Sequence, residues 1–145
     1  MSQKIKFKII TPERTVYENE VDQITLPVTD GEVTILPNHR SYIASLKAGE
    51  IMLRVDKEEI HLAVSGGFVE LDQNNLIVLA DTAEHAEEID EQRAEAARVK
   101  AEELKNKKIE MSEEEFVRVA SLVEKEMARV RVAKKHRSRK GMKID

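Results

Sequence analysis

The stretch from residue 63 to residue 97 constrains this chain most, because its composition changes there from strand-forming to helix-forming residues. Up to Leu79, apolar residues alternate with polar ones, and Gly66-Gly67 and Asn74-Asn75 mark turns. After Asp81, almost every residue is Ala, Glu, Asp, Gln, Arg or Lys, most of which favour helices. The sequence therefore predicts a β unit that is followed directly by a helical unit.

The β unit is predicted to cover residues 1–82. Residues 4–9 alternate with a period of two, so that Ile5, Phe7 and Ile9 share one face of a strand. Similar short runs follow at 14–18, 21–28, 32–36, 42–46, 50–55, 59–64, 67–71 and 75–80, with turn residues between them. Many short strands at close spacing are typical of an all-β sandwich or barrel.

The helical unit is predicted to be a helix-turn-helix over residues 83–136. At 100° per residue, the first helix carries a thin apolar stripe made mostly of alanine, namely Ala83, Ala86, Ile89, Ala94, Ala97, Ala101 and Leu104. Residues 106–110 break the helix, and Ser112 with Glu115 form a capping-box signature for the second one. The second helix is predicted to pack through Phe116, Ala120, Val123, Met127 and Val130. Because alanines bury little area, we expect weak docking.

Two charged residues, Asp90 and Arg93, fall within the alanine stripe, on the face that is expected to be dry. Charges on a packing face need partners. One interpretation is an ion pair between positions i and i+3, and the other is a polar ligand held between the helices. On the second helix, Arg118, Lys125 and Arg129 form a basic row, which is either a solvated face or a surface for an anionic ligand or acidic partner.

The charge of the helical unit is asymmetric. Residues 81–124 carry 7 basic and 14 acidic side chains, whereas residues 125–145 carry 9 basic and 2 acidic ones. A hairpin that folds its basic end over its acidic start is therefore favoured electrostatically. Residues 134–140 are densely basic, and residues 137–145 are predicted to form a flexible basic tail. Since no aromatic residue lies among these charges for base stacking, we expect no nucleic-acid partner.

Several classes of function find no support in the sequence. The chain has no cysteine, and its four histidines show neither HxH nor HExxH spacing. The phosphate-loop and dinucleotide-binding motifs are absent as well, so we expect a protein that is not an enzyme. The N-terminus lacks the apolar core of a signal peptide, and no run approaches the roughly 18 apolar residues that span a bilayer. We therefore expect no direct membrane insertion.

Taken together, the motifs resemble the epsilon subunit of bacterial F-type ATP synthases. The resemblance runs from about Ile5 to Lys135, and no single piece of it would be specific. The matching pieces are Ile10-Thr11-Pro12, Gly31-Glu32, Ile35-Leu36-Pro37, His39, residues 63–70, residues 79–84, Ile89-Asp90 and Arg93-Ala94. The sequence departs from the family at Val33-Thr34, Asn38 and Arg40-Ser41, so we expect the loop next to His39 to differ in shape.

The resemblance implies a flattened N-terminal β-sandwich that is followed by a C-terminal antiparallel helical hairpin. It further implies a non-catalytic rotor subunit on the cytoplasmic face of the bacterial cell membrane, with the sandwich docked on the gamma subunit and the c-ring. Glu32 and His39 match the positions at that interface. The hairpin is implied to fold against the sandwich, or to extend towards the alpha/beta catalytic head and suppress ATP hydrolysis.

The resemblance also implies a regulatory ATP, although no cofactor is required. Ile89, Asp90, Arg93 and Ala94 match the family's ATP-binding motif, Glu84 matches a further acidic position, and Arg129 matches an arginine of that site. Lys125 stands where another arginine is usual, and a lysine loses bidentate phosphate recognition. The alternative function is a free-standing nucleotide sensor with an ATP-gated hairpin, which co-purification with gamma would separate from a rotor subunit.

Overall fold

The computed structural model describes residues 3–107 and 111–142, with side chains as far as Arg139. This part of the chain forms ten strands followed by two long helices. The strands are β1 Ile5–Ile10, β2 Thr15–Val21, β3 Gln23–Val28, β4 Gly31–Ile35, β5 Tyr42–Leu46, β6 Gly49–Val55, β7 Glu58–Val64, β8 Gly67–Asp72, β9 Asn75–Ala80 and β10 Ala83–His85. The helices are α1 Glu91–Asn106 and α2 Glu113–Met142, and a 3-10 turn at Ala86–Glu88 precedes α1.

The strands are hydrogen-bonded in the order β10-β7-β6-β3-β5-β8-β9-β1-β2, and β4 also pairs with β3. Strand β3 belongs to both halves of this sheet, because residues 23–25 pair with β6 and Val28 pairs with Leu46 of β5. The pairs are antiparallel except for β1 with β9, which is parallel. The sheet thus folds over into a β-sandwich with β10 and β2 at the ends of its strand order, and the predicted fold class is confirmed.

One apolar core fills the sandwich. The predicted inward face of β1 is confirmed, since Ile5, Phe7 and Ile9 are fully buried. Every other strand of the sandwich except β10 adds residues at alternate positions, among them Val21, Ile24, Leu26, Ile35, Leu46, Ile51, Leu53, Leu62, Val69, Leu71, Leu76 and Val78. This alternation is what a sheet with one buried face requires.

The predicted start of the helical unit was wrong. Residues 83–85 form the edge strand β10, in which Ala83 lies opposite Val64 and His85 opposite Leu62 of β7. Asp90 is not helical either, because it is the N-cap of α1 with extended φ and ψ of −81° and 105°. Helix propensity is a weak local preference, and here pairing with the free edge of β7 overrides it.

The two helices form the predicted antiparallel hairpin, which lies folded on β6 and β7. Its contact with the sandwich is a small buried cluster, here called the docking cluster, which consists of Ala63, Ala86, Ile89, Ala94, Val130, Val132 and Ala133. The capping box is confirmed, since the Ser112 hydroxyl accepts a hydrogen bond from the Glu115 N–H at 3.2 Å. Leu104 and Met127 were predicted on the packing faces, yet both are exposed.

Helix α2 is longer than predicted. It continues past residue 136 through Arg137 and Arg139 to Met142, so these residues are helical rather than part of a separate tail. Lysine and arginine are good helix formers, and ion pairs hold both arginines against the rest of the molecule. The remainder of the predicted tail, residues 143–145, lies outside the described residues. Among the described helices, none is sufficiently long and apolar to cross a membrane.

Candidate functional site

Of the two residues predicted to face partner subunits, Glu32 lies within strand β4 and His39 lies in the loop that follows it. Glu32 is exposed near the start of β4, opposite Pro27. His39 is half-buried in the loop after β4, where its Nδ1 lies 2.8 Å from the Arg40 carbonyl oxygen and its ring meets Tyr42 edge-on at 6.0 Å. Glu32 is thus exposed to solvent, while His39 is fixed within its loop.

The loop that carries His39 is braced against the β8–β9 turn. The Asn38 N–H donates to Oδ1 of Asn74 at 2.7 Å, and Asn74 Nδ2 donates to Oδ1 of Asn38 at 3.3 Å. The Ser41 hydroxyl donates to Asp72 at 3.1 Å. Asn38 has a positive φ of 67°, a conformation that asparagine tolerates better than most residues. The departures at Asn38 and Ser41 therefore supply bonds that fix the shape of this loop.

An exposed apolar surface covers the outer face of strands β5, β8 and β9. We call it the outer apolar patch, and it consists of Ile43, Phe68, Ile77 and Leu79, whose exposed fractions are 76%, 61%, 39% and 53%. Phe68 lies directly opposite Leu79, while Ile43 and Ile77 flank Glu70. Contiguous exposed apolar patches usually mark interaction surfaces. Sequence reasoning missed this patch, although apolar residues at both alternating positions of residues 76–79 were a signal for it.

Asp90 and Arg93 are both exposed, so the expectation that they lie on a dry face was wrong. The Asp90 carboxylate accepts a hydrogen bond from the backbone N–H of Arg93 at 3.1 Å and thereby caps α1. The contact is therefore a helix cap and not the ion pair between side chains that was one of the two interpretations of the sequence. Ile89 and Ala94 of the same motif are buried in the docking cluster.

The structure brings together Glu84 and Arg129, which lie on β10 and α2. The Arg129 guanidinium donates to the Glu84 carboxylate and, at 2.7 Å, to Glu126 one turn earlier on α2. Burial acts to lower the pKa of Arg129, but the hydrogen bonds to the two carboxylates outweigh it and raise this pKa. Glu126 is buried, and sequence reasoning missed it because a glutamate on a helix usually lies in solvent.

The basic residues of the predicted ATP site differ in how accessible they are to a nucleotide. Arg129 already forms ion pairs with two carboxylates, and Lys125 is half-buried on the same helix. The exposed Arg93 guanidinium belongs to no ion pair of the described residues, so it is the motif's most accessible group for a phosphate. A nucleotide would have to compete with Glu84 and Glu126 for Arg129. ATP binding at these residues stays a prediction.

The comparisons with known proteins place this architecture in a class. Residues 4–86 match the family model for the β-sandwich domain of the ATP synthase delta/epsilon chain. The chain is 39% identical over 135 residues to the ATP synthase epsilon chain of Herpetosiphon aurantiacus, which covers 93% of this chain and 98% of the relative. It is 46% identical over 99 residues to that of Dehalococcoides mccartyi, or 68% and 71% of the two chains. The chain belongs to the ATP synthase epsilon chain family.

Solved structures share the fold at lower sequence identity. A chain of the Euglena gracilis mitochondrial ATP synthase, solved as OSCP/F1/c-ring, matches 86% of this chain and 78% of its own length with a TM-score of 0.72 and 18% identity. A chain of the Tetrahymena thermophila central stalk/c-ring structure matches 61% and 71% with a TM-score of 0.51 and 18% identity. These matches show that the sandwich and hairpin form a recurrent fold.

Proposed function

We propose that the protein is a non-catalytic rotor subunit of a bacterial F-type ATP synthase and that its sandwich joins the gamma subunit to the c-ring. The main support for this proposal is the outer apolar patch, because a permanently bound partner would bury its four exposed side chains. We assign this patch to gamma. Glu32 and the braced loop around His39 are polar, and we assign them to the c-ring. The protein is then held at the cytoplasmic face of the cell membrane through its partners.

Co-purification with gamma tests the docking. We expect Phe68→Glu and Leu79→Glu to abolish capture by tagged gamma, because each would bury an unpaired carboxylate in the interface. Val117→Glu is the matched control, since Val117 is equally exposed but lies on α2. Capture that survives both patch variants would contradict the assignment. Failure of the unchanged chain to bind gamma would instead favour the free-standing nucleotide sensor.

We also propose that the hairpin is a switch that inhibits ATP hydrolysis when it extends towards the alpha/beta catalytic head. The small docking cluster supports this, because four of its seven residues are alanines and release exposes little apolar surface. Such a contact suits an element with two alternative positions.

Reconstituted complexes test the inhibition. We expect complexes with a chain that ends after Glu88 to hydrolyse ATP several-fold faster than complexes with the full chain, because the hairpin is missing. The control is that both chains are retained equally on the purified complex. Equal hydrolysis rates at equal retention would overturn the inhibitory role and leave the docking role in place.

Regulatory ATP is the ligand we propose for the folded hairpin, on the basis of the family motif. Calorimetric titration of the full chain with ATP-Mg tests it. We expect Arg93→Ala to weaken binding, because Arg93 offers the motif's accessible guanidinium. Lys57→Ala in the β6–β7 turn is the control for a general loss of positive charge. No heat of binding at millimolar ATP would remove the ligand from the proposal without affecting the docking.

A further inference from the structure

The basic end of α2 contacts the rest of the molecule through three side chains, which lie within little more than one helical turn. Lys135 Nζ lies 3.1 Å from Glu50 Oε1 of β6, and Arg137 lies 3.1 Å from Glu91 at the start of α1. Arg139 lies 3.9 Å from Glu59 of β7. Three members of the basic cluster singled out in the sequence are thus engaged within the molecule.

A buried histidine lies at the centre of the contacts with the sandwich. His61 of β7 is 7% exposed, and its Nδ1 lies 3.5 Å from Glu50 while its Nε2 lies 3.3 Å from Glu59. Nη1 of Arg139 lies 2.8 Å from Nδ1 of His61 and also contacts Nε2. Three side chains of the sandwich and two of α2 therefore form one connected network.

The pKa of Glu50 reflects its hydrogen bonds to other members of this network. Burial acts to raise the pKa of Glu50, but hydrogen bonds from His61 and Lys135 outweigh it and lower this pKa. The ionised carboxylate is therefore stabilised by a donor from its own sheet and by a donor from α2. These contacts add to those of the neighbouring docking cluster, which is small.

We propose that Lys135 and Arg139 of α2, together with Glu50, Glu59 and His61 of the sandwich, form an electrostatic latch that sets the fraction of molecules with a released hairpin. The latch rests on the switching part of the proposed function and names the contacts that control it. In the folded hairpin, the latch holds Lys135 and Arg139 against the sandwich. In the extended hairpin, the same two side chains would be free to contact the catalytic head. Opening of the latch therefore exposes these two cationic side chains to a partner, and closing of the latch returns them to the sandwich.

Distance measurements on the full chain test the latch. The sequence has no cysteine, so Lys57→Cys in the β6–β7 turn and Ser121→Cys on α2 give two unique spin-label sites, both exposed. We expect Lys135→Glu to raise the released fraction roughly five- to tenfold, because it places a carboxylate beside Glu50. Adding Glu50→Lys to that variant should restore much of the closed form by exchanging the two charges.

Lys134→Glu is the matched control, since it makes the same change in net charge at an adjacent lysine that takes part in no ion pair of the described residues. We expect it to leave the released fraction within twofold of the unchanged chain. Equal release in Lys134→Glu and Lys135→Glu, or no release in any variant, would overturn the latch. Inhibition by the hairpin is measured separately in the reconstituted complex, so either idea can fail alone.

Discussion

At the residue scale, Gly67 fixes how closely β8 approaches β9. Its φ is +138°, and a Cβ at this position would lie 2.0 Å from the Leu79 carbonyl oxygen. Gly31 has a similar φ of +132°, yet a Cβ there would meet no atom within 4 Å. Substitution of Gly31 would therefore cause backbone strain alone, whereas substitution of Gly67 would cause both strain and a steric clash.

We expect Gly67→Ala to lower the free energy of unfolding by about 3 kcal/mol or more, because strain and a backbone clash act together. Gly31→Ala should cost only about 1 kcal/mol, since strain acts alone. Urea unfolding of the full chain measures both values. An equal loss of free energy of unfolding in the two variants would show that β8 moves away from β9 without destabilising the protein further.

Asp90 acts at the same scale through a single hydrogen bond. We expect Asp90→Ala to destabilise α1 by about 1 kcal/mol and Asp90→Asn to retain most of the cap. Amide exchange in the first turn of α1 is the measurement. Arg93→Ala is the control, because it keeps the backbone N–H that Asp90 accepts from. A similar loss in Arg93→Ala would contradict the cap and favour the interpretation of an ion pair between the two side chains.

At the element scale, the hairpin depends on small side chains that let it approach the sandwich. Ala94 is fully buried in the docking cluster, whereas Ala96 on the same helix is exposed. We expect Ala94→Leu to weaken docking by about 1–3 kcal/mol through overpacking and Ala96→Leu to leave it unchanged. Amide exchange of α1 and α2 measures the difference. Normal protection in Ala94→Leu would mean that this contact is not tight.

At the scale of the whole molecule, acid should open the hairpin. The pKa of Glu50 in the folded protein lies below its ordinary value of 4.5. The ionised Glu50 therefore contributes its full stabilisation above pH 4.5 and loses it as the pH falls through the lower, folded pKa. The released fraction, followed with the two spin labels from neutral pH downwards, should rise there. Glu50→Gln should weaken this rise, and an unchanged acid response in that variant would assign it to other groups.

The sequence by itself determined the two units, their order and most strand positions. Alternation in residues 4–9 indicates which side chains face the core, and the Ser112 capping box marks the start of α2. Both signals are local, since period, turn chemistry and capping involve residues within a few positions of one another. The family motifs assign Glu84 and Arg129 to one ATP site; the two side chains contact each other in the structure, and their binding of ATP stays a prediction.

Only the tertiary structure decided the roles of residues whose partners are distant in the chain. Residues 83–85 look helical by composition, but the free edge of β7 makes them a strand. Asp90 and Arg93 were predicted to be dry because α1 was expected to begin too early. The burial of Glu126, the outer apolar patch and the contacts of His61 with Arg139 depend on elements brought together by folding. Long-range packing sets burial and charge partners, so local patterns could not reveal them.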